Sequence, residues 1–319
     1  MIYVIGGSGF IGTHLCSILF KNSKEFKILD KVFSQNFSHS YVHADVTKEL
    51  FNKDQAENVT SIINLAAEHR DDVTPTSSYY TVNVDGAINV CNFASRNNIN
   101  RIIFTSSVAV YGLGTKEASE SSFLNPFNDY GKSKLLAEKV YIQWQEEDPG
   151  RRSLVIIRPT VVFGEGNRGN VYNLFSFIAG NKFIMIGKGS NFKSMAYVGN
   201  LAAFLDYSLD FLPGIHIYNY IDKPDLCIKD LIFTVRKTLG FNKPINFYLP
   251  YFLALIIGYL FDIASFILKK KFTISSVRIK KFCANSTFNS SVNGTGFLPP
   301  FDIHQAIERT IDHEFHPRS

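Results

Sequence analysis

The segment Tyr130-Gly131-Lys132-Ser133-Lys134 places a phenol and an ammonium four residues apart, on one face if the segment is helical. A tyrosine titrates at roughly 10, too high for a general base at neutral pH, and a neighbouring cation lowers that value by favouring phenolate. Lys134 can supply the cation and also hold the ribose of a bound nucleotide. A hydroxyl is then needed on the far side of the reacting oxygen. Thr105-Ser106-Ser107, closing an apolar run, offers candidates, of which Ser107 is the choice. The set suits proton transfer coupled to hydride transfer. The spacing alone is common in helices, where a surface Tyr/Lys pair has no role.

Hydride transfer calls for a dinucleotide, and the N-terminus has the pattern for one. Gly6-Gly7-Ser8-Gly9-Phe10-Ile11-Gly12 follows an apolar run and opens a helical pattern. Its missing side chains allow a tight turn and close approach of a pyrophosphate to a helix N-terminus. Asp30 stands 18 residues past Gly12 at the end of the second apolar run, where a carboxylate can accept from the ribose hydroxyls. It would repel a 2′-phosphate, so NAD is expected over NADP. Asp45 and Val46 are candidates beside the adenine, and Leu65, Ala66 and Ala67 are small or apolar residues where the cofactor must pass. Cys16, Cys91, Cys227 and Cys283 are far apart, so neither a metal site nor a disulfide framework is expected, and a reducing cytoplasm fits best.

The elements that must position these groups are legible as a rhythm. Short apolar runs at Tyr3, Phe26, Ser61, Arg101 and Leu154 alternate with helical spacing over Asp85 to Asn97 and Ser133 to Gln145. This predicts an α/β fold, a Rossmann-type doubly wound parallel sheet over residues 1–165, with some later segments returning to it. A smaller mixed α/β lobe that caps the substrate is expected over 166–319. The net charge of +5 is mild and no basic block accompanies the first half, so nucleic acid is not an expected partner. The chain opens directly on an apolar strand, so export is not expected.

One segment fits neither lobe. Phe247 to Leu268 is almost wholly apolar or aromatic, broken by Pro250, Gly258 and Asp262, and is followed by Lys269-Lys270-Lys271. A spanning helix needs about 20 predominantly apolar residues. An element lying in the plane of a membrane surface, with cationic flanks, is the better physical expectation; a buried helix of the second lobe is the alternative.

Gly6 to Gly12, Ser107 with Val110-Tyr111-Gly112, Tyr130 to Lys134, and Arg158-Pro159 through Phe163-Gly164 together resemble the extended short-chain dehydrogenases/reductases of the NAD-dependent epimerase/dehydratase family, over essentially the whole chain. The resemblance implies bound NAD, with Ser107, Tyr130 and Lys134 catalytic. It implies cofactor contacts from Gly6, Ser8, Gly9, Phe10, Ile11, Gly12, Asp30, Asp45, Val46, Leu65, Ala66, Ala67, Tyr130 and Lys134. Family dehydratases follow the Ser/Thr with an Asp-Glu pair; here those positions are Val108 and Ala109, so no acid is placed to expel water. A 4-epimerase or a 4-ketoreductase is left.

The stretches Ala66 to Val73, Gly166 to Asn173, Lys193 to Val198 and Tyr220 to Leu226 resemble a bacterial branch that epimerises a lipid-linked sugar. That implies interconversion of GlcNAc and GalNAc on diphospho-undecaprenol, for O-antigen and lipopolysaccharide synthesis at the cytoplasmic side of the inner membrane. Reductase relatives share the Arg168 and Lys193 motifs. A soluble UDP-GlcNAc 4-epimerase or UDP-4-keto-6-deoxy-HexNAc 4-reductase therefore stays open, as does a non-catalytic NAD-binding scaffold. Arg168, Asn170, Lys193 and Arg278 are the candidates for gripping the diphosphate and sugar. The family has Arg at the position of Lys193 and Asp at Ser194, so the usual grip is altered. Glu68-His69-Arg70-Asp71-Asp72 is a charged run without an assigned role, His69 being an alternative base. The resemblance also implies a homodimer, paired through the helices around 85–97 and 133–145.

Overall fold

The computed structural model describes residues 1–48, 58–70, 73–113, 117–241, 248–270, 272 and 275–316. The chain divides into two units. The first comprises Met1–Val162, Ala196–Ile221 and Phe288–Phe301, and the second Phe163–Met195, Asp222–Thr287 and Asp302–Ser319.

The first unit is built on β1 (Ile2–Ile5), β2 (Phe26–Asp30), β3 (Tyr41–His43), β4 (Ser61–Asn64), β5 (Arg101–Thr105), β6 (Ser153–Pro159) and β10 (Gly214–Tyr220). They form one sheet in the order β10-β6-β5-β4-β1-β2-β3, all pairs parallel. The order reverses between β1 and β4, so the crevice beyond the carboxyl ends of these two strands is where a ligand binds in such folds. All residues of β1, β4 and β6 are buried, the mark of strands covered on both faces. Alternate residues divide between two cores. Val4, Ile63, Ile103 and Val155 pack with Leu15 and Leu19 of α1 (Phe10–Lys21) and Phe204 of α6 (Val198–Tyr207). Tyr3, Ile62, Ile102 and Ile156 pack with Val90 and Phe93 of α3 (Gly86–Arg96) and Tyr141 and Trp144 of α4 (Asp129–Glu146). The short α2 (Ser77–Tyr80) and a π-helical turn over Thr81–Asp85 precede α3.

The helix α4 starts four residues before the periodicity that announces it. Asn128 is its cap, the side-chain oxygen accepting from Gly131 N at 2.9 Å, which satisfies an otherwise orphaned donor. Tyr130 therefore lies in the first helical turn.

The strand β7 (Val161–Phe163) ends the run that β6 begins. The second unit is mixed α/β: β9 (Phe192–Tyr197) pairs antiparallel with β11 (Asp222–Cys227), and β8 (Met185–Ile186) parallel with β12 (Tyr248–Leu249). Among its helices α5 (Asn170–Ala179), α7 (Ile228–Thr238) and α10 (Ile303–Phe315) pack on one another, α10 being closed by a capping box between Asp302 and Gln305.

The apolar segment is the helix α8 (Tyr251–Leu268), with Phe247 and Lys271 outside the described residues. Ala254 and Gly258 are buried, while large side chains elsewhere on the helix, from Phe252 to Phe266, are exposed. The buried-helix alternative is thus not what the structure has. The positions that interrupt the apolar pattern have a packing reason. Ala254, Gly258 and Asp262, spaced by four, form one stripe, and α9 (Ser276–Cys283) lies on it. A Cβ at Gly258 would stand 2.9 Å from Ser276 Cα, and Asp262 accepts from Ser276 N at 3.3 Å.

Candidate active site

The end of β5 is joined residue by residue to α4. The Thr105 carbonyl accepts from Lys134 Nζ at 2.7 Å, the Ser106 hydroxyl donates to Glu138 Oε1 at 2.5 Å, and the Ser107 hydroxyl hydrogen-bonds the Tyr130 phenol. Three consecutive residues thus meet three residues on one face of the helix. Close approach depends on Gly131, where a Cβ would stand 2.6 Å from the Ala109 carbonyl oxygen. Ser107 also caps the short 3-10 turn Val108–Tyr111, accepting from Ala109 N at 3.2 Å. Val108 and Ala109, the positions without an acid, lie in that turn.

The electrostatics differ from the expectation. Burial holds Tyr130 above its ordinary value, Tyr79 adds to the rise, and the Ser107 hydrogen bond works against it. Lys134 is itself pushed down to about 7 by burial, with the Glu138 carboxylate opposing the fall. Its ammonium lies 4.6 Å over the Phe104 ring and is committed to the Thr105 carbonyl. The cation expected to draw the phenol down thus donates to the Thr105 carbonyl, and burial works against its charge.

Beneath this lies a buried ion pair that the spacing arguments missed. Arg158 donates to both Glu138 oxygens, from Nε at 2.9 Å and Nη2 at 2.7 Å, with both side chains 2% exposed. Its Nη1 donates to the Tyr111 hydroxyl, which donates to Asn219 Oδ1 at 2.7 Å. Asn83, in the π-helical turn, is a second group that spacing does not reveal. It accepts from Glu68 N, donates to the Glu68 carbonyl, and donates to the Ser133 hydroxyl at 2.9 Å. A polar residue inside a helical run, where its propensity is poor, was the available signal. Glu68 itself pairs with Arg70, whose hydrogen bonds hold the carboxylate at about 2. His69 is exposed and Asp71 and Asp72 lie outside the described residues.

The glycine turn has the geometry a dinucleotide requires. Gly6 takes φ +76°, and a Cβ there would stand 2.7 Å from Ala66 N; one at Gly12 would stand 2.5 Å from Gly7 Cα. Gly9 caps α1 without a side chain, leaving Phe10, Ile11 and the helix N-terminus open to an anion. Asp30 ends β2, accepting from Ser8 N at 3.1 Å and Val32 N at 2.9 Å. The Ser8 and Thr105 hydroxyl oxygens are buried with no hydrogen-bond partner in the structure. At the end of β4, Leu65 and Ala66 are half-buried, and Ala66 N donates to Asn64 Oδ1. Asp45 closes a turn, accepting from Thr47 N and Oγ1 at 2.9 Å, with the Thr47 backbone bond foremost in holding it below its usual range. Val46 is buried against Gly86. These residues fit NAD, whose nicotinamide would supply a reversible hydride acceptor.

In the second unit, Arg168 donates to Glu314 Oε2 at 2.8 Å and stacks on Tyr172 at 4.4 Å. Lys193 Nζ donates to the Lys281 and Ala284 carbonyls at 2.7 Å each, and burial pushes it down to about 8. It thus holds the C-terminal end of α9. Ser194, where the family has Asp, donates to Asp225 Oδ1. Asn170, first residue of α5, and Arg278, on α9, are exposed.

Comparison with known proteins agrees with this geometry. A curated relative from Escherichia coli O157:H7, an N-acetyl-alpha-D-glucosaminyl-diphospho-ditrans,octacis-undecaprenol 4-epimerase, is 46% identical over 98% of this chain and 95% of its own. Among solved structures, MoeE5 in complex with UDP-glucose and NAD matches with a TM-score of 0.77 at 18% identity, covering 98% of this chain and 97% of that one. The UDP-N-acetylglucosamine 4-epimerase from Bacillus cereus matches with a TM-score of 0.75 at 16% identity, covering 98% and 99%. The model of the NAD dependent epimerase/dehydratase family matches residues 2–219, and the chain belongs to that family.

Proposed function

We propose that this chain is an NAD-dependent 4-epimerase that interconverts GlcNAc and GalNAc carried on diphospho-undecaprenol. Identity to the lipid-linked 4-epimerase along nearly the whole chain carries the reading. The join between β5 and α4 supplies the chemistry. Ser107 and Tyr130 would present two oxygens to the C4 oxygen of the sugar; Tyr130, once its own proton has passed to solvent, would accept the proton of the C4 hydroxyl, while bound NAD would supply the hydride acceptor. For the opposite epimer the 4-keto sugar would present its other face to the cofactor site, and Tyr130 would return the proton to the C4 oxygen. Lys134 would hold the ribose, and in its protonated form it would favour the phenolate that accepts the C4 proton. In the second unit, Arg168, Asn170, Lys193 and Arg278 are the proposed diphosphate and sugar contacts. For Lys193 this requires release of the α9 carbonyls.

A polyprenyl carrier stays in the bilayer, so the enzyme must work at its surface. The proposed contact is α8, at the cytoplasmic side of the bacterial inner membrane. Its 18 residues reach about 27 Å, slightly short of a hydrocarbon core of roughly 30 Å. Lys280 of α9 also donates to the Tyr259 hydroxyl at 2.8 Å, near the middle of α8. A crossing helix would draw that ammonium into hydrocarbon, whereas a helix lying in the interface leaves it among headgroups.

The test offers purified protein GlcNAc-diphospho-undecaprenol and UDP-GlcNAc in parallel, with no cofactor added, and follows the GalNAc epimer of each. Conversion of the lipid-linked sugar is expected. Conversion of the UDP-sugar alone would overturn the carrier assignment, and dependence on added NADH or NADPH would favour a reductase.

A further inference from the structure

At the N-terminal root of α8 the second unit has a cleft of about 890 Å³ between the loop after β8, the start of α7, β12 and α9. Lys188, Lys229 and Lys280 come to it from three different elements, with Tyr248 and Tyr251 on its rim. No Asp or Glu is among its described lining residues. Lys188, Lys229 and Lys280 are all exposed. Lys280 also donates to the Tyr259 hydroxyl and feels the Asp262 carboxylate, so Lys188 and Lys229 are the cations that a cleft with no carboxylate in its described lining leaves for an anion. The cleft opens where the exposed apolar surface of α8 begins, at Tyr251 and Phe252.

Those two surfaces side by side describe an amphiphile. We propose that the cleft is a headgroup site for an anionic phospholipid of the bilayer on which α8 lies: the lipid phosphate sits beside Lys188 and Lys229, and its acyl chains run along α8. The inference rests on the membrane contact proposed above and adds a lipid class to it. Charge complementarity selects this occupant over a second copy of the chain. The exposed face of α8 that a second copy would offer is apolar and brings no carboxylate to the cleft, while an anionic leaflet supplies its counter-charge. Lysines near such a leaflet attract it within a Debye length, so the contact weakens as salt rises.

The experiment is vesicle flotation of the full chain on phosphatidylcholine alone and on phosphatidylcholine mixed with phosphatidylglycerol. Three variants accompany wild type: Lys188→Gln with Lys229→Gln in the cleft; Lys182→Gln with Lys237→Gln, lysines of the same unit outside it; and Ile263→Ser with Phe266→Ser on α8. Wild type should prefer the anionic vesicles. The cleft variant should lose roughly 25-fold in partitioning to them, about fivefold per lysine, and bind phosphatidylcholine as wild type does. The variant outside the cleft should keep the preference. Equal loss in both lysine variants would mean net charge alone acts, and overturns the site. So would calorimetric binding of inorganic phosphate that the cleft variant abolishes, which assigns the cleft to free phosphate. A dimer in solution that the α8 variant dissociates would assign the face to a second copy and overturn the proposal. Failure of the membrane contact itself reads differently: wild type and the α8 variant would then both stay at the bottom of every gradient.

Discussion

Lys134 is a long cation placed where charge is expensive. Burial brings it down to about 7 from an ordinary 10.5, and the Thr105 carbonyl fixes its amine. A lysine whose folded value is depressed releases its proton first in the folded state. Between about 7 and 10.5 unfolding takes up a proton, so stability from this group grows as pH rises through that window and is lowest below it. Lys134→Met should therefore be more stable than wild type at pH about 6, by on the order of a few kcal/mol, with the gap closing toward pH about 10. Its turnover should fall at least ~100-fold. Chemical denaturation across pH measures the first; a gap that does not change with pH would mean that Lys134 is not desolvated as described. The same burial leaves Tyr130 above its usual value, so the phenol is a proton donor and acceptor only in company: with Ser107 on its oxygen and a substrate to share the proton.

At the scale of elements, the site is the seam between β5 and α4, and Glu138 with Arg158 fastens it from below. Buried pairs gain little over a well-packed apolar substitute, but removing one partner strands the other. Glu138→Leu should cost about 3–5 kcal/mol and loosen Ser106, while Glu138→Leu with Arg158→Met should recover part of that loss. A double-mutant cycle in urea reads the coupling; additive losses would mean the pair does not act as a unit. Little of this seam is legible in the sequence. Tyr130, Lys134 and Ser107 show there as types and spacings, because a helix face and a strand end are local facts. Arg158 and Asn219 reach the seam from β6 and β10, far along the chain, and Asn83 reaches it from a π-helical turn that no periodicity announces. Nor does spacing report burial, so on spacing alone Lys134 counts as a full charge.

For the whole molecule, the parallel sheet follows from apolar runs that are continuous because both faces of each central strand are covered. The later half is harder to read. The chain returns to the first unit twice, at Ala196 and Phe288, and such returns leave no composition signal. Its clearest feature, the apolar run of α8, is visible at once, but its interruptions at Gly258 and Asp262 make sense only with α9 lying on them. Arg168 and Lys193, expected as diphosphate ligands, are held by Glu314 and by the α9 carbonyls, pairings set by tertiary packing alone. The chemistry proposed for the first unit and the surface proposed for α8 have separate roles. One inverts the sugar, and the other, on the proposal above, would bring the enzyme to a substrate held in the bilayer.

On the proposed function, hydride leaves C4 of the sugar and comes back to the same carbon. GlcNAc-diphospho-undecaprenol carrying deuterium at C4, incubated with the purified chain and no added nicotinamide, should yield GalNAc that keeps the deuterium at C4. Appearance of solvent hydrogen at C4, or a requirement for a reduced cofactor with each turnover, would contradict it.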